Sequence, residues 1–427
     1  MILDSILAAT IIVSVGCVGL FFARKWQLSL MPFWVIASVL ILVGLLAQLS
    51  GSPFYLGLSD GGFYLDWGFK ISEAWRGGLP WNDKAVWPGA VWPGKGLWPL
   101  AIAVLNYFFG PVLISLVVLN ALIFAFSVIL LQKATDLLSG YRPKWTIIAL
   151  VVSSPPVLLW APTLFREAIF WFGISAGILA IAYFYRGANS FGVGFLLLSV
   201  TVTLGIRPNL GVAIVYPLVV VGITVWALNK GRPRLGRTLV GATLVAVLIA
   251  TVLPVSNFLI KTENVERTVV ATADGLANDR VTTSLQNSLE APAPGVCDQI
   301  SYLPLLCDSL ARLPFLMFGP FLWEIGSEPI WIVLIASTAH FLFLLTTSVL
   351  LLFQKRTRTV ASLSLLGLSL MTLVVLAAVM TNYGIIMRFR VGAELFLLPL
   401  SLGFLLGFRG DRSRVSHVIE RRDSGRG

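Results

Sequence analysis

The apolar residues of this chain come in long runs, and the polar residues gather between them. Runs at 2–22, 33–50, 111–131, 145–164, 168–185, 191–206, 209–228, 238–260, 329–353, 359–380 and 391–408 each approach the ~20 residues a helix needs to cross a ~30 Å hydrocarbon core. In lipid a backbone must satisfy its own hydrogen bonds, so runs of this kind fold as helices. The pattern predicts an all-α fold: a polytopic transmembrane helix bundle of about eleven spans. One apolar stretch, Leu97–Phe109, is short for a span. Its placement in the membrane would also reverse every helix after it, so it reads as a helix in or dipping into the interface.

Charge gives the bundle a direction. Arg24 and Lys25 follow the first span; Lys133, Arg142 and Lys144 the third; Arg186 the fifth; Lys230, Arg232, Arg234 and Arg237 the seventh; Lys355, Arg356 and Arg358 the ninth; Arg409, Arg412 and Arg414 the eleventh. Positive charge collects in cytoplasmic loops, so each odd span ends inside and each even span outside. The N-terminus is then outside and the C-terminus cytoplasmic. The run 2–22 has no basic leader and is followed by Arg24-Lys25, which marks a retained span more than a cleaved signal. One transmembrane domain, 1–409, carries two large outer loops, 51–110 and 261–328. A basic, Ser/Gly-rich tail, 410–427, reads as disordered and able to lie on anionic head groups.

Composition agrees. Hydrophobic residues are 57% and charged residues 12% of the chain, against ~25% charged in soluble domains. The net charge is +11. Its distribution in short clusters between apolar runs makes it topological and excludes a nucleic-acid partner; membrane lipid is the expected surround. No Asn-x-Ser/Thr acceptor occurs, in keeping with a bacterial cytoplasmic membrane.

Two of the three cysteines, Cys297 and Cys307, share the second outer loop. An oxidising exterior makes them candidates for a disulfide; two free thiols are the alternative. Without a nearby His they make a poor metal site.

The first outer loop opens with Asp60-Gly61-Gly62-Phe63-Tyr64. Phe63, Trp67, Ile71 and Ala74/Trp75 recur at helical spacing and predict an amphipathic helix. Asp66–Lys70 and Glu73–Arg76 pair on its polar side, and Gly77-Gly78 end it. Asp60 suits two roles there, a helix N-cap and a general base at the membrane–water boundary. Trp87-Pro88-Gly89 and Trp92-Pro93-Gly94, with Lys95 directly after, form turns with exposed indoles. They fit an interfacial aromatic belt or a stacking platform for a sugar or isoprenoid.

These residues carry a resemblance. Asp60-x2-Phe63-Tyr64, Ala74-Trp75-x-Gly77-Gly78-Leu79-Pro80-Trp81, the Trp/Pro/Gly loop and Leu97-Trp98-Pro99-Leu100 leading to Phe109-Gly110 resemble the first outer loop of the GT-C superfamily of polytopic glycosyltransferases. The likeness is to the protein O-mannosyltransferases and the aminoarabinose transferases of lipid A, and covers roughly 51–131. It implies two juxtamembrane helices, at 60–77 and 97–109, with Asp60 as catalytic base. It also implies a polyprenyl-phosphate-linked sugar donor and a glycan, lipid or protein acceptor. The chain departs from the family in its extra first span and in the Gly61-Gly62 that follows Asp60 where many members have a second acid. No cofactor is fixed by this pattern, and a divalent cation stays open.

A phosphate leaving group needs fixed positive charge, and Arg binds phosphate through two parallel N–H groups. Arg166, Arg207, Arg388 and Arg390 fall at predicted outer ends of spans, where cations are disfavoured; Asp66 and Lys95 are further candidates for substrate binding. Arg166-Glu167 also reads as a local ion pair. The segment 314–324 is apolar with one carboxylate, Glu324, which suits a second acid, an acceptor ligand or an Arg partner. His340, inside the ninth span, reads as hydrogen-bonded within the bundle.

Three functions fit unequally. Glycosyl transfer at the outer face leads. A polymerase of lipid-linked repeat units would use related chemistry and a similar architecture. A transporter or flippase of lipid-linked sugars would place ionisable groups or broken helices at mid-membrane, whereas most spans here carry no charge at their centres.

Overall fold

The structure, a computed structural model, describes residues 2–49, 60–80, 97–164, 166–229, 313–314, 317–319, 330–353, 359–379 and 383–423. The predicted span 238–260, and with it Lys95, Cys297, Cys307 and Glu324, lies outside these residues. The described residues form helices and no strand. In chain order they are α1 (Ile2–Trp26), α2 (Met31–Leu49), α3 (Asp60–Arg76), α4 (Trp98–Phe109), α5 (Leu113–Ser139), α6 (Trp145–Val152), α7 (Pro155–Trp160), α8 (Glu167–Tyr185), α9 (Asn189–Ile206), α10 (Pro208–Asn229), α11 (Ile330–Phe353), α12 (Val360–Val379) and α13 (Tyr383–Asp423).

Seven of them are long and apolar enough to cross a membrane: α1, α2, α5, α8, α9, α11 and the Met387–Gly407 part of α13. The chain is an integral membrane protein built as a helical bundle. Helices α5, α8 and α13 are its buried centre, while α1 and α9 keep most of their surface outward. Exposed Leu3, Ile6, Val13, Val18 and Phe21 on α1 give it an apolar outer face, which suits a lipid solvent.

The predicted 145–164 span is two helices. Ser153-Ser154-Pro155-Pro156 interrupts it. The residue before a proline is pushed out of the α region, and Ser154 is extended at φ −87°, ψ 104°. Pro155 then starts α7, where its missing N–H costs nothing. Helix α13 continues to Asp423, through residues whose composition alone predicts no regular structure.

Helices α3 and α4 pack on each other. At 12 residues, α4 is roughly 18 Å long at ~1.5 Å per residue, well short of a ~30 Å core. The buried face of α3 runs through Tyr64, Gly68, Ile71 and Ser72, rotated from the predicted Phe63–Trp67–Ile71 stripe. The cause is close approach: a Cβ on Gly68 would lie 2.4 Å from Ile102 Cγ2 and 3.3 Å from the Pro99 carbonyl. Arg76, expected to pair with Glu73, turns to α4, where Nη2 donates to the carbonyls of Asn106 and, at 3.2 Å, Tyr107. Carbonyls of the last turn lack a full set of partners within the helix; that of Asn106 also accepts from Gly110 N at 2.9 Å.

The two ends of the bundle differ. At one, Arg142 meets Asp136 at 3.1 Å and donates to the Gln27 carbonyl at 3.2 Å, Lys133 meets Asp136 at 2.8 Å, and Arg186 Nε donates to the Leu137 carbonyl. Basic residues from two loops predicted to share a side therefore meet, together with the backbone of a third at Gln27. The other end carries α3 and α4. There Asp4 of α1 caps α5, whose own N-cap, Val112, has no side-chain acceptor. Its carboxylate accepts from Ile114 N at 3.0 Å and Ser115 N at 2.9 Å, and from Ser115 Oγ. An acid inside the first apolar run thus satisfies orphan N–H groups of a helix more than 100 residues away.

Losing such a cap costs about 1–2 kcal/mol. Asp4→Ala is expected to lower the midpoint of thermal unfolding in detergent, and Asp4→Asn, which keeps one acceptor, to lower it less. Unchanged midpoints in both would show that Asp4 does not stabilise α5.

Candidate functional site

Three chain segments meet at the α3/α4 end: the turn before α8, the corner between α9 and α10, and the start of α4. Trp98 Nε1 donates to the Leu164 carbonyl at 2.8 Å, and Asn120 Nδ2 donates to the Thr163 carbonyl. Leu97 N donates to the Gly205 carbonyl at 2.8 Å. The corner itself follows from sequence: Pro208 disfavours the α region for the residue before it, and Arg207 leaves the helix at φ −140°, ψ 79°.

These ties set the arginines. Arg207 Nη2 donates to Glu167 Oε1, and Arg388 Nε lies 3.3 Å from the same oxygen. Arg166 Nη1 donates to the Ile206 carbonyl at 3.1 Å, one residue from Arg207. Aromatic faces complete the surround. The guanidinium of Arg207 sits 4.4 Å from the Phe389 ring centre, and that of Arg166 sits 5.3 Å from Tyr64. Cation–π contacts of this kind are worth up to ~2 kcal/mol when desolvated.

Most of this is hidden from solvent, with Arg388 partly exposed. Glu167 is 0% exposed, Arg166 6% and Arg207 8%. Burial first, and the charges of Arg166 and Arg388 with it, pull the pKa of Arg207 down to about 10 against the opposing pull of Glu167. Arg207 therefore stays protonated at neutral pH. Arg207 Nε, Glu167 Oε2 and, one turn along α8, Trp171 Nε1 are buried without a hydrogen-bond partner. A buried polar atom left in that state costs about 1–3 kcal/mol, so the cluster has unmet capacity for a polar ligand. Planar guanidinium forks select carboxylate or phosphate oxygens.

The chain matches no family model, no curated protein and no solved structure.

Of the residues singled out from sequence, Arg166, Arg207 and Arg388 come together. Asp60 begins α3, one helical turn before Tyr64, so the two positions share a face and Tyr64 carries the contact to Arg166. Asp66 lies apart in an exposed ion pair with Lys70 at 2.6 Å. Arg390 is fully buried and turned elsewhere, its Nη1 donating to Thr338 Oγ1 at 2.9 Å and its Nη2 to the Gly319 carbonyl at 3.5 Å. Lys95, Glu324, Cys297 and Cys307 fall outside the described residues. Among the described residues no three His, Cys, Asp or Glu side chains gather as a metal site would need.

A local pair with Arg166 was one reading of Glu167. Its carboxylate also reaches Arg207 and Arg388, 40 and 221 positions away in the chain. Tyr64 and Phe389 were visible only as members of an apolar stripe and of the Arg-Phe-Arg run. The available signal was the coincidence of a carboxylate with arginines at predicted ends on the same side of the bundle.

Removing one partner of a buried ion pair costs about 3–5 kcal/mol, because a charge is left uncompensated. Glu167→Ala should therefore unfold at a clearly lower temperature than wild type, and millimolar inorganic phosphate should recover part of the loss. A variant as stable as wild type, or one indifferent to phosphate, contradicts the pairing described.

Proposed function

We propose that the chain is a membrane glycosyltransferase that moves a sugar from a polyprenyl-phosphate donor to an acceptor hydroxyl at the extracytoplasmic face. The observation that carries this reading is the convergence of Arg166, Arg207 and Arg388 at the end of the bundle that bears α3, with Asp60 at the first position of that helix. The likeness of 51–131 to the first outer loop of GT-C enzymes supports it. So does the gathering of Arg142, Lys133 and Arg186 at the opposite end, which the positive-inside tendency assigns to the cytoplasm.

In this reading the donor phosphate lies against the arginine cluster. Asp60 takes the proton of the acceptor hydroxyl as its oxygen attacks the anomeric carbon. The bond from that carbon to the phosphate oxygen breaks, its electron pair staying on the phosphate. Negative charge grows on the leaving oxygen, where fixed guanidinium groups in a water-poor site stabilise it more than water would. The products are a glycoside of inverted configuration and polyprenyl phosphate.

The test is transfer of radiolabelled sugar from polyprenyl-phosphate donors by the purified protein. Wild type should transfer label. Asp60→Asn should lose roughly 10²–10⁴-fold in rate, the usual contribution of a general base, with donor binding kept. Arg207→Gln should weaken donor binding as well. Full transfer by Asp60→Asn would sink the assigned base. Activity that survives Asp60→Asn but not Arg207→Ala, on lipid-linked oligosaccharides, would move the reading to a repeat-unit polymerase.

A further inference from the structure

A second polar group of residues lies deeper in the bundle, apart from the arginine cluster. Three elements contribute to it: Ser154 at the break between α6 and α7, His340 of α11 and Glu394 of α13. His340 is ten positions into α11, roughly 15 Å along a helix rising ~1.5 Å per residue, about half of a ~30 Å core. The side chains of His340 and Glu394 are 7% and 4% exposed. They line a small cavity, large enough for about one water molecule. The remaining wall is aliphatic apart from Phe124 and Ser154.

The hydrogen bonds fix the tautomer. His340 Nε2 lies 2.9 Å from the Leu150 carbonyl. A carbonyl oxygen can only accept, so Nε2 must carry a hydrogen. In a neutral ring Nδ1 is then a bare lone pair, and Nδ1 faces Glu394 Oε2 at 3.5 Å. Ser154 Oγ donates to that same carboxylate oxygen at 3.2 Å. An ionised carboxylate against a bare ring nitrogen sets lone pair against lone pair and leaves one net charge in an apolar surround, which is costly. One proton removes both problems, forming an imidazolium–carboxylate pair or a carboxylic acid that donates to Nδ1.

We propose that His340 and Glu394 form a binding site for a single proton at mid-membrane, at the joint of the broken α6–α7 span. The proton comes from the aqueous phase and goes back to it; no other bond changes. The charged neighbour on the packed elements is Arg390, four positions before Glu394 on α13, whose guanidinium turns to Thr338 and the Phe341 ring. Helices α6 and α7 present Leu150, Val151, Ser154 and Val157 to the cavity, and α5 presents Phe124, none of them titratable. A broken helix with an acid–base pair at its joint is the arrangement by which membrane proteins bind and move protons or ions.

The chain has two histidines, so His417→Gln leaves His340 alone to be observed. Nitrogen NMR of ¹⁵N-histidine-labelled His417→Gln in lipid nanodiscs, at about pH 7.5 where an exposed imidazole of pKa ~6.5 is mostly neutral, reads the site directly. The expected result is a protonated Nδ1, or else an infrared carbonyl band of a protonated carboxyl that disappears in Glu394→Gln. Glu394→Gln should also convert His340 to a neutral ring with a bare, hydrogen-bonded Nδ1. A bare Nδ1 without the carboxyl band in the His417→Gln protein overturns the proposal, as does a Nδ1 that stays protonated in Glu394→Gln. Should Glu394→Gln not fold, the His417→Gln protein alone decides: a protonated Nδ1 or a protonated-carboxyl band supports the site, and a bare Nδ1 without that band overturns it.

Discussion

Glu167 has no contact with solvent, and Arg207 and Arg388 reach it from other parts of the chain. A carboxylate taken out of water without a partner would cost several kcal/mol. So the first residue of α8, the corner between α9 and α10, and α13 must meet at one point. This requirement does for the end of the bundle what apolar packing cannot. Van der Waals contact between apolar helices in lipid has little preference for one depth or rotation over another, whereas a buried ion pair has a fixed partner and a fixed place. The hydrogen bonds of Trp98 and Leu97 then draw α4 onto the same point, and Tyr64 brings in α3. The packed pair α3 and α4, the helix ends at α8, α9 and α10, and a charged site become one structure.

Much of this was legible along the chain, because lipid imposes simple rules. Span positions such as 168–185, 191–206 and 329–353 lie close to helices α8, α9 and α11, since apolar length decides them. The short 97–109 helix also stands as a separate element. Interruptions were harder. Ser153-Ser154-Pro155-Pro156 sits in an apolar surround, and hydropathy averages over it; only the backbone preference before proline shows the break. The rotation of α3 depended on Gly68, whose missing side chain matters through its neighbour Ile102. No helical-spacing rule for α3 alone contains that neighbour.

The site shows the same division. That Arg166, Arg207 and Arg388 fall at span ends predicted to be outer is a one-dimensional reading. That they share Glu167 is a three-dimensional one, as is the separation of Arg390 from them two residues after Arg388. The view that most span centres lack charge passed over Glu394, and His340 looked solitary until α13 placed a carboxylate beside it. The bundle therefore has two polar levels, one near the end that bears α3 and one near its middle, and α13 contributes to both.

Whether the arginine cluster holds a phosphate is read most directly by native mass spectrometry with polyprenyl phosphate as the added lipid. The wild-type protein should retain the lipid phosphate through detergent removal, and Arg166→Gln, Arg207→Gln and Arg388→Gln should each retain about tenfold less, the equivalent of ~1.4 kcal/mol per contact. Retention of polyprenyl phosphate by all three variants at the wild-type level would contradict a phosphate site there.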